Sequence, residues 1–353
     1  MKLKLALAAA AFTAVLTTGT AVMTASASTA PGQNSNRIEQ SENAAHNVIK
    51  ANGPGVFPHS VDYNRQSRTF VVGSLKHSTI STVGLDGTVR TLVDDPSLVS
   101  VQAVRVDRDK HRVLASNVDY GLADRSSKDT TFRVAGVGSY DLTDGRKHWY
   151  ADLAKVAADG KQHLIADVTV APDGTAYAVD QLTPTVFRID RNGHASVLLR
   201  SDLLKGTVDV PNFLSGIGMT AVAWTPHNHL VIAKADGSLV RVPVNHPERA
   251  RKVELSKPLA ALTAGIRVLP DGSIAAVSSG LLTGKPAQIQ RVRPCGDWKY
   301  ATVNVTDTVT APVTSGIAAG PHGSTFALSG GLPDLLMGKP NNGFTLTPVK
   351  VKN

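Results

Sequence analysis

One unit recurs six times along this chain, and the recurrence decides what the chain can fold into. Each copy has an apolar or alternating run, a turn, and a second β-rich run. The copies are 59–65 (HSVDYNR) with 69–72 (TFVV), 102–108 (QAVRVDR) with 112–115 (RVLA), and 166–174 (ADVTVAPDG) with 176–179 (AYAV). Three more follow: 220–226 (TAVAWTP) with 230–233 (LVIA), 264–272 (AGIRVLPDG) with 274–277 (IAAV), and 315–323 (SGIAAGPHG) with 326–328 (FAL). Their first residues lie 43 to 64 residues apart, enough for four short strands and their turns. Third and fourth runs are visible in 79–87 (TISTVGLDG) before 89–93 (VRTLV), and in 186–193 (VFRIDRNG) before 196–199 (SVLL). Asp86-Gly87 and Asn192-Gly193 mark hairpins there, because both dipeptides tolerate positive φ. Helical periodicity is nearly absent, and only 152–158 is expected to form a short helix. Strands at this spacing admit a sandwich or a propeller, and the six-fold recurrence predicts an all-β, six-bladed β-propeller with four-stranded blades.

The N-terminus has the order of an export signal: basic Lys2 and Lys4, an apolar run from Leu5 through Leu16, then small residues to Ala25, Ser26 and Ala27. Residues 1–27 are expected to be a secretory signal peptide and the protein to be secreted and extracellular. No Cys stands at the cleavage point, which argues against a lipid anchor. Residues 28–50 are polar and expected to form a disordered tail, and 51–353 the propeller. No second apolar stretch of membrane length occurs, so no membrane span is expected. Cys295 is the single cysteine and reads as a turn residue; an internal disulfide or a multi-cysteine metal site within the chain is excluded.

Processing removes Lys2 and Lys4 from a formal charge of +9 and leaves +7. Arg105, Arg108, Lys110 and Arg112 are interleaved with Asp107 and Asp109, and no aromatic-interleaved basic stripe occurs, so nucleic-acid binding is not expected. Weak attraction to an anionic envelope polymer follows from net charge alone. The protein is expected to be a monomer.

Several segments carry a family resemblance. The segments 57–61 (FPHSV) with 70–75 (FVVGSL), 167–177 (DVTVAPDGTAY), 224–226 (WTP) before 230–233 (LVIA), 239–244 (LVRVPV), and 337–339 (MGK) with 344–346 (FTL) resemble the SMP-30/gluconolactonase/strictosidine-synthase-like superfamily. The resemblance runs in order over nearly all of 55–350 and implies a calcium-dependent hydrolase plan on a six-bladed propeller. In the hydrolytic members a divalent cation sits on the propeller axis, held by oxygen ligands at the heads of innermost strands, where it polarises a lactone or phosphoester. The repeat register maps those heads onto His59, Gln102, Ala166, Thr220, Ala264 and Ser315. The pattern departs at four of them: His59 stands for Glu, Ala166 for Asn, Thr220 for Asn, and Ala264 for Asp. Asp167, after Ala166, is retained. A ring without a carboxylate leaves a divalent ion uncompensated, so no metal and no cofactor are expected.

Two readings follow. In the first, the protein is non-catalytic and uses a funnel lined by His59, Gln102, Ala166, Asp167, Thr220, Ala264 and Ser315, with top loops 118–133 and 201–216, to bind a small molecule or envelope component. In the second, it is a diverged lactone or ester hydrolase with His59 as base and Asp167 as partner, and calcium is retained only in that case. His59 reads more readily as an inert channel histidine, because no carboxylate stands in register to orient it. Asp167 and Asp180 are a possible cation or sugar pair, or simple turn caps. His227 and His229 flank a turn and read as solvated. Trp149, Trp224 and Trp298 are expected to pack blades. No nucleophile elbow, dinucleotide fingerprint or phosphate loop occurs.

Overall fold

Each repeat unit folds as the inner half of one blade. In the computed structural model, which describes residues 47–211, 214–311 and 313–351, blade 1 consists of Pro58–Asn64, Thr69–Ser74, Ile80–Val83 and Val89–Val93. Blade 2 is Ser100–Asp107, Arg112–Val118, Ala135–Asp141 and Lys147–Asp152. Blade 3 is Ile165–Val170, Ala176–Asp180, Thr185–Ile189 and Ala195–Arg200. Blade 4 is Met219–Thr225, His229–Lys234, Leu239–Pro243 and Arg251–Lys252. Blade 5 is Thr263–Val268, Ile274–Ser278, Ala287–Cys295 and Tyr300–Val309, with Glu254–Leu255 added in parallel at its outer edge. The innermost strands touch their neighbours in a closed ring. The all-β, six-bladed propeller expected from the repeat is the fold observed.

Blade 6 closes the ring with both ends of the chain. Gly316–Ala319, Thr325–Ser329 and Phe344–Pro348 take Ile49–Ala51 as their outermost strand, with Ile49 opposite Leu346 and Ala51 opposite Phe344. The tail boundary expected at residue 51 therefore falls too late, since Ile49 and Lys50 already belong to a blade. The expected signal peptide and most of the expected tail lie outside the described residues.

Burial explains the residue types. Inner strands are buried along their whole length and mostly apolar, whereas the outer strand of blade 3 (ASVLLR) has no fully buried residue and exposes Ser196 and Arg200. The core is a set of six apolar layers, one at each blade junction, rather than a single centre. The junction of blades 6 and 1 packs the Phe70 ring edge-on against Phe326 at 5.2 Å. Trp224 of blade 4 stacks on Tyr177 of blade 3 at 5.6 Å, and Trp149 donates to the Arg191 carbonyl beneath Arg112. The expected short helix is Leu153–Ala157, begun by the Asp152 carboxylate accepting from the Lys155 amide and ended by Ala158 in the left-handed region.

If Ile49–Ala51 closes the ring, Ile49→Asp should cost about 3 kcal/mol or more, through lost apolar burial and an uncompensated carboxylate. Lys50→Asp, on the exposed face of the same strand, should cost well under 1 kcal/mol. Urea unfolding of the two variants provides the check.

Candidate functional site

The innermost strands of blades 1 to 5 each carry a register shift near their beginning: Pro58/Val61, Val101/Val104, Ile165/Asp167, Met219/Ala221 and Thr263/Gly265. Such bulges re-aim side chains, and His59, Gln102, Ala166, Thr220 and Ala264 sit at them, while Ser315 directly precedes the innermost strand of blade 6. His59, Gln102, Thr220 and Ala264 line an upper chamber of about 100 Å³, at the end where the strands begin. His59, Ala166, Ala264 and Ser315 line a smaller cavity of about 20 Å³ below it, together with Asp167 and Arg105. All seven funnel residues thus reach the channel, and His59 borders both spaces.

The upper chamber has apolar walls and a polar, uncharged floor. Leu75, Leu122, Ile217, Leu262, Leu281 and Leu332 are among the wall residues, and no Asp, Glu, Lys or Arg lines it among the described residues. On the floor the Tyr120 hydroxyl donates to Gln102 Oε1 and lies 3.2 Å from Gln181 Oε1, while Gln102 Nε2 donates to that same oxygen at 3.5 Å. Burial pushes the Tyr120 phenol far above its ordinary range, so it remains a donor. Desolvation holds the His59 imidazole down to about 4, against a hydrogen bond with the Gln102 backbone, so the ring is neutral at pH 7.

Two carboxylates fix the loops that supply this floor. Asp119 accepts from the Gly121 amide at 2.6 Å and the Ser126 hydroxyl at 2.5 Å, which shapes the loop carrying Tyr120. Asp180 accepts from the amides of Leu164, Leu182 and Thr183 and meets His163 Nδ1 at 2.5 Å, which fixes the turn carrying Gln181. His163 lies buried between Asp180 and Asp159; burial lowers its pKa, but the two carboxylates outweigh this and raise it. Tyr120 lies in the top loop 118–133 expected to border the funnel, but neither it nor Gln181 was singled out, because both come from loops outside the repeat.

Below the ring, charge is balanced internally. Arg105 Nη2 is 3.5 Å from Asp167 Oδ1, its Nη1 is 3.9 Å from Asp62 Oδ2, and its Nε donates to the Val168 carbonyl at 3.1 Å. Asp167 also accepts from the amides of Val168 (2.8 Å) and Val222 (3.0 Å). Burial pushes the Asp167 carboxyl up and is opposed by Arg105 and these two amides. Burial lowers the Arg105 pKa, but Asp167 and Asp62 raise it by more and keep the guanidinium charged.

Both Asp167 oxygens are engaged by Arg105 and backbone amides, so the pairing with His59 that only the hydrolytic reading called for has no counterpart among these contacts. Nor do Asp167 and Asp180 act as a pair, since each belongs to a separate network. His229 Nδ1 lies 3.2 Å from Asp297 Oδ1 in a blade 4 to blade 5 contact, with His227 in the adjoining turn.

The ring does not fit a hard divalent cation. Ala166 and Ala264 offer no side-chain oxygen, and the Gln102 oxygen already accepts from Tyr120. The Thr220 and Ser315 hydroxyls donate to the Ala233 and Pro58 carbonyls. Among the described residues no three His, Cys, Asp or Glu side chains gather as a metal site.

No protein-family model matches the sequence, and no curated protein matches it. Solved structures do match in fold. The Malassezia sympodialis allergen Mala s 1 aligns at TM-score 0.69 with 15% identity, covering 86% of this chain and 96% of that one. A gluconolactonase from Xanthomonas campestris, XC5397, aligns at 0.54 with 14% identity over 86% and 89%. The calcium-binding protein regucalcin from Agrobacterium tumefaciens aligns at 0.54 with 14% identity over 86% and 95%. The chain thus shares its fold with gluconolactonase and regucalcin propellers, as the resemblance implied.

A His59 held near 4 makes acid destabilising. Its unfolded value is ordinary, near 6.5, so between these limits the unfolded chain binds more protons and stability falls as pH falls. His163, raised, acts in the opposite sense and loses its contribution as pH rises through its folded value. Subtracting the unfolding free energy of His59→Gln from that of the wild type isolates the first effect. The difference should decline between pH 6.5 and 4 and be flat above pH 7.

Proposed function

We propose that this chain is an exported, non-catalytic propeller whose upper chamber binds one end of a small, uncharged, largely apolar molecule bearing a hydroxyl or carbonyl. The observation that carries this reading is the pairing of apolar walls with the floor of Gln102, Tyr120, Gln181 and neutral His59. An apolar cavity of about 150 Å³ accommodates a benzene ring, so the chamber suits the buried end of a ligand whose remainder lies in the open funnel. A carboxylate or ammonium group placed here would lose its hydration without a counter-charge. The amide N–H groups of Gln102 and Gln181 suit a carbonyl or hydroxyl, and His59 offers a ring nitrogen as acceptor.

The hydrolytic alternative draws on the fold shared with a gluconolactonase. It is weakened by two features. A base with a pKa near 4 is a poor proton acceptor at neutral pH, and the Asp167 that would orient it is bound to Arg105 and two amides.

A neutral, apolar fluorescent alcohol such as 1-naphthol tests the binding reading. One saturable site is expected. Leu281→Arg, which puts a charge on the partly buried rim, should weaken it at least about tenfold. Simple lactones and aryl esters should show no turnover beyond that of His59→Gln. A turnover abolished by His59→Gln would establish the hydrolytic alternative, and failure to saturate would refute the chamber as a binding site.

A further inference from the structure

Beside the upper chamber, at the same end of the propeller, lies a second and larger space. It is a cleft of about 660 Å³ between the loop entering blade 1, the loops after the second strands of blades 1 and 2, and residues 335–342 of blade 6. That volume falls within the roughly 300–1,000 Å³ of small-ligand sites. The two spaces stand back to back on one apolar wall. Phe57, Leu75 and Leu335 are buried there as a cluster, with Leu122 packed against them. Leu75 faces the chamber, Phe57 and Leu335 face the cleft, and Leu122 borders both. Contacts between the loops fix the walls. The Gly55 amide donates to the Asn341 carbonyl at 2.8 Å, the Ser74 hydroxyl to the Val56 carbonyl at 2.6 Å, and the Asp124 amide to the Lys76 carbonyl at 2.9 Å.

The cleft differs from the chamber in charge. Lys76, His77 and Lys339 line it, and among the described residues no Asp or Glu does. Asp124, outside the lining, lies 2.7 Å from both Lys76 Nζ and His77 Nδ1, so one carboxylate serves two basic groups. An ammonium has three donors, and Lys76 therefore keeps donors beyond the one given to Asp124. Asp334, in the short helix that supplies Leu335, is engaged by Asn341 at 3.2 Å. Exposed Lys339 forms no ion pair among the described residues. A basic edge beside an apolar floor matches a molecule divided in the same way. An anionic head at the two lysines gains charge-assisted hydrogen bonds, and an apolar body covers Phe57, Leu335 and Leu336. A cationic head would meet like charge.

We propose that this cleft is a second ligand site, for a small carboxylate with an apolar body, whose head is held by Lys76 and Lys339. The two spaces then select by charge, a neutral group in the chamber and an anionic one in the cleft. The cleft site does not depend on the chamber binding anything.

Calorimetric titration at pH 7.5 with octanoate, acetate and octylammonium provides the test. Octanoate should bind saturably and one to one. Acetate lacks the apolar body and octylammonium the anionic head, so each should bind at least about tenfold more weakly. The double variant Lys76→Gln/Lys339→Gln retains an amide donor for Asp124 and should melt like the wild type. It should weaken octanoate binding at least about tenfold. Leu336→Asp, checked for folding by circular dichroism, should weaken it as much. Leu281→Arg, which alters the chamber, should leave octanoate binding unchanged, so the chamber and the cleft fail separately. The proposal is overturned if octanoate gives no saturable heat, if the folded variants bind it unchanged, if octylammonium binds as tightly, or if Leu281→Arg abolishes octanoate binding.

Discussion

The Arg105 guanidinium is the interaction on which the middle of this molecule depends. It extends from blade 2, lies between Asp62 of blade 1 and Asp167 of blade 3, and donates to the Val168 carbonyl. The two carboxylates extend the link, because Asp62 also accepts from the Val106 amide in blade 2 and Asp167 from the Val222 amide in blade 4. Four blades are thereby tied near the axis by one cation and two anions. Removing one partner of a buried pair costs on the order of 3–5 kcal/mol, because the other charge is left without compensation.

This network and the ring above it are consistent with one another. A guanidinium next to the axis already pairs with Asp167, the one carboxylate that lines the lower cavity among the described residues. A divalent ion placed above would meet neutral His59, committed hydroxyls and alanine methyl groups, with a positive charge beneath. Such a donor set lacks the charged oxygen ligands that a hard divalent cation needs. What remains above is an apolar space with fixed hydrogen-bonding groups. The loops bearing Tyr120 and Gln181 are held by Asp119, which accepts from one amide and two hydroxyls, and by Asp180, which accepts from three amides. Preorganised groups of this kind lower the ordering cost of binding.

The blades were legible because each inner strand carries its own pattern, and Asn192-Gly193 and the Pro-Asp-Gly turns punctuate it. The repeat register alone led to His59, Gln102, Ala166, Thr220, Ala264 and Ser315 at the channel. The third position after the ring was an available signal that the reading passed over: Asp62, Arg105 and Arg267 are charges set within otherwise apolar strands. Their partners were not legible, since Arg105 and Asp167 lie 62 residues apart and meet only across a blade junction. For the same reason Asp167 meets Arg105 rather than His59, the partner that only the hydrolytic alternative gave it. Ile49 and Lys50 looked like tail because a three-residue strand has too little pattern of its own, and its partner, Phe344–Pro348, lies at the other end of the chain.

The Arg105 guanidinium beside Asp167, below a ring without carboxylates, predicts that the channel does not hold calcium. Calcium calorimetry on the wild type beside the quadruple variant His59→Glu, Ala166→Asn, Thr220→Asn and Ala264→Asp tests it most directly. The wild type should give no saturable heat, and the variant, with two carboxylates and two amides restored to the ring, should acquire a site. Tight one-to-one calcium binding by the wild type, lost when Asp167 is replaced by Asn in a variant that still folds, would contradict the account.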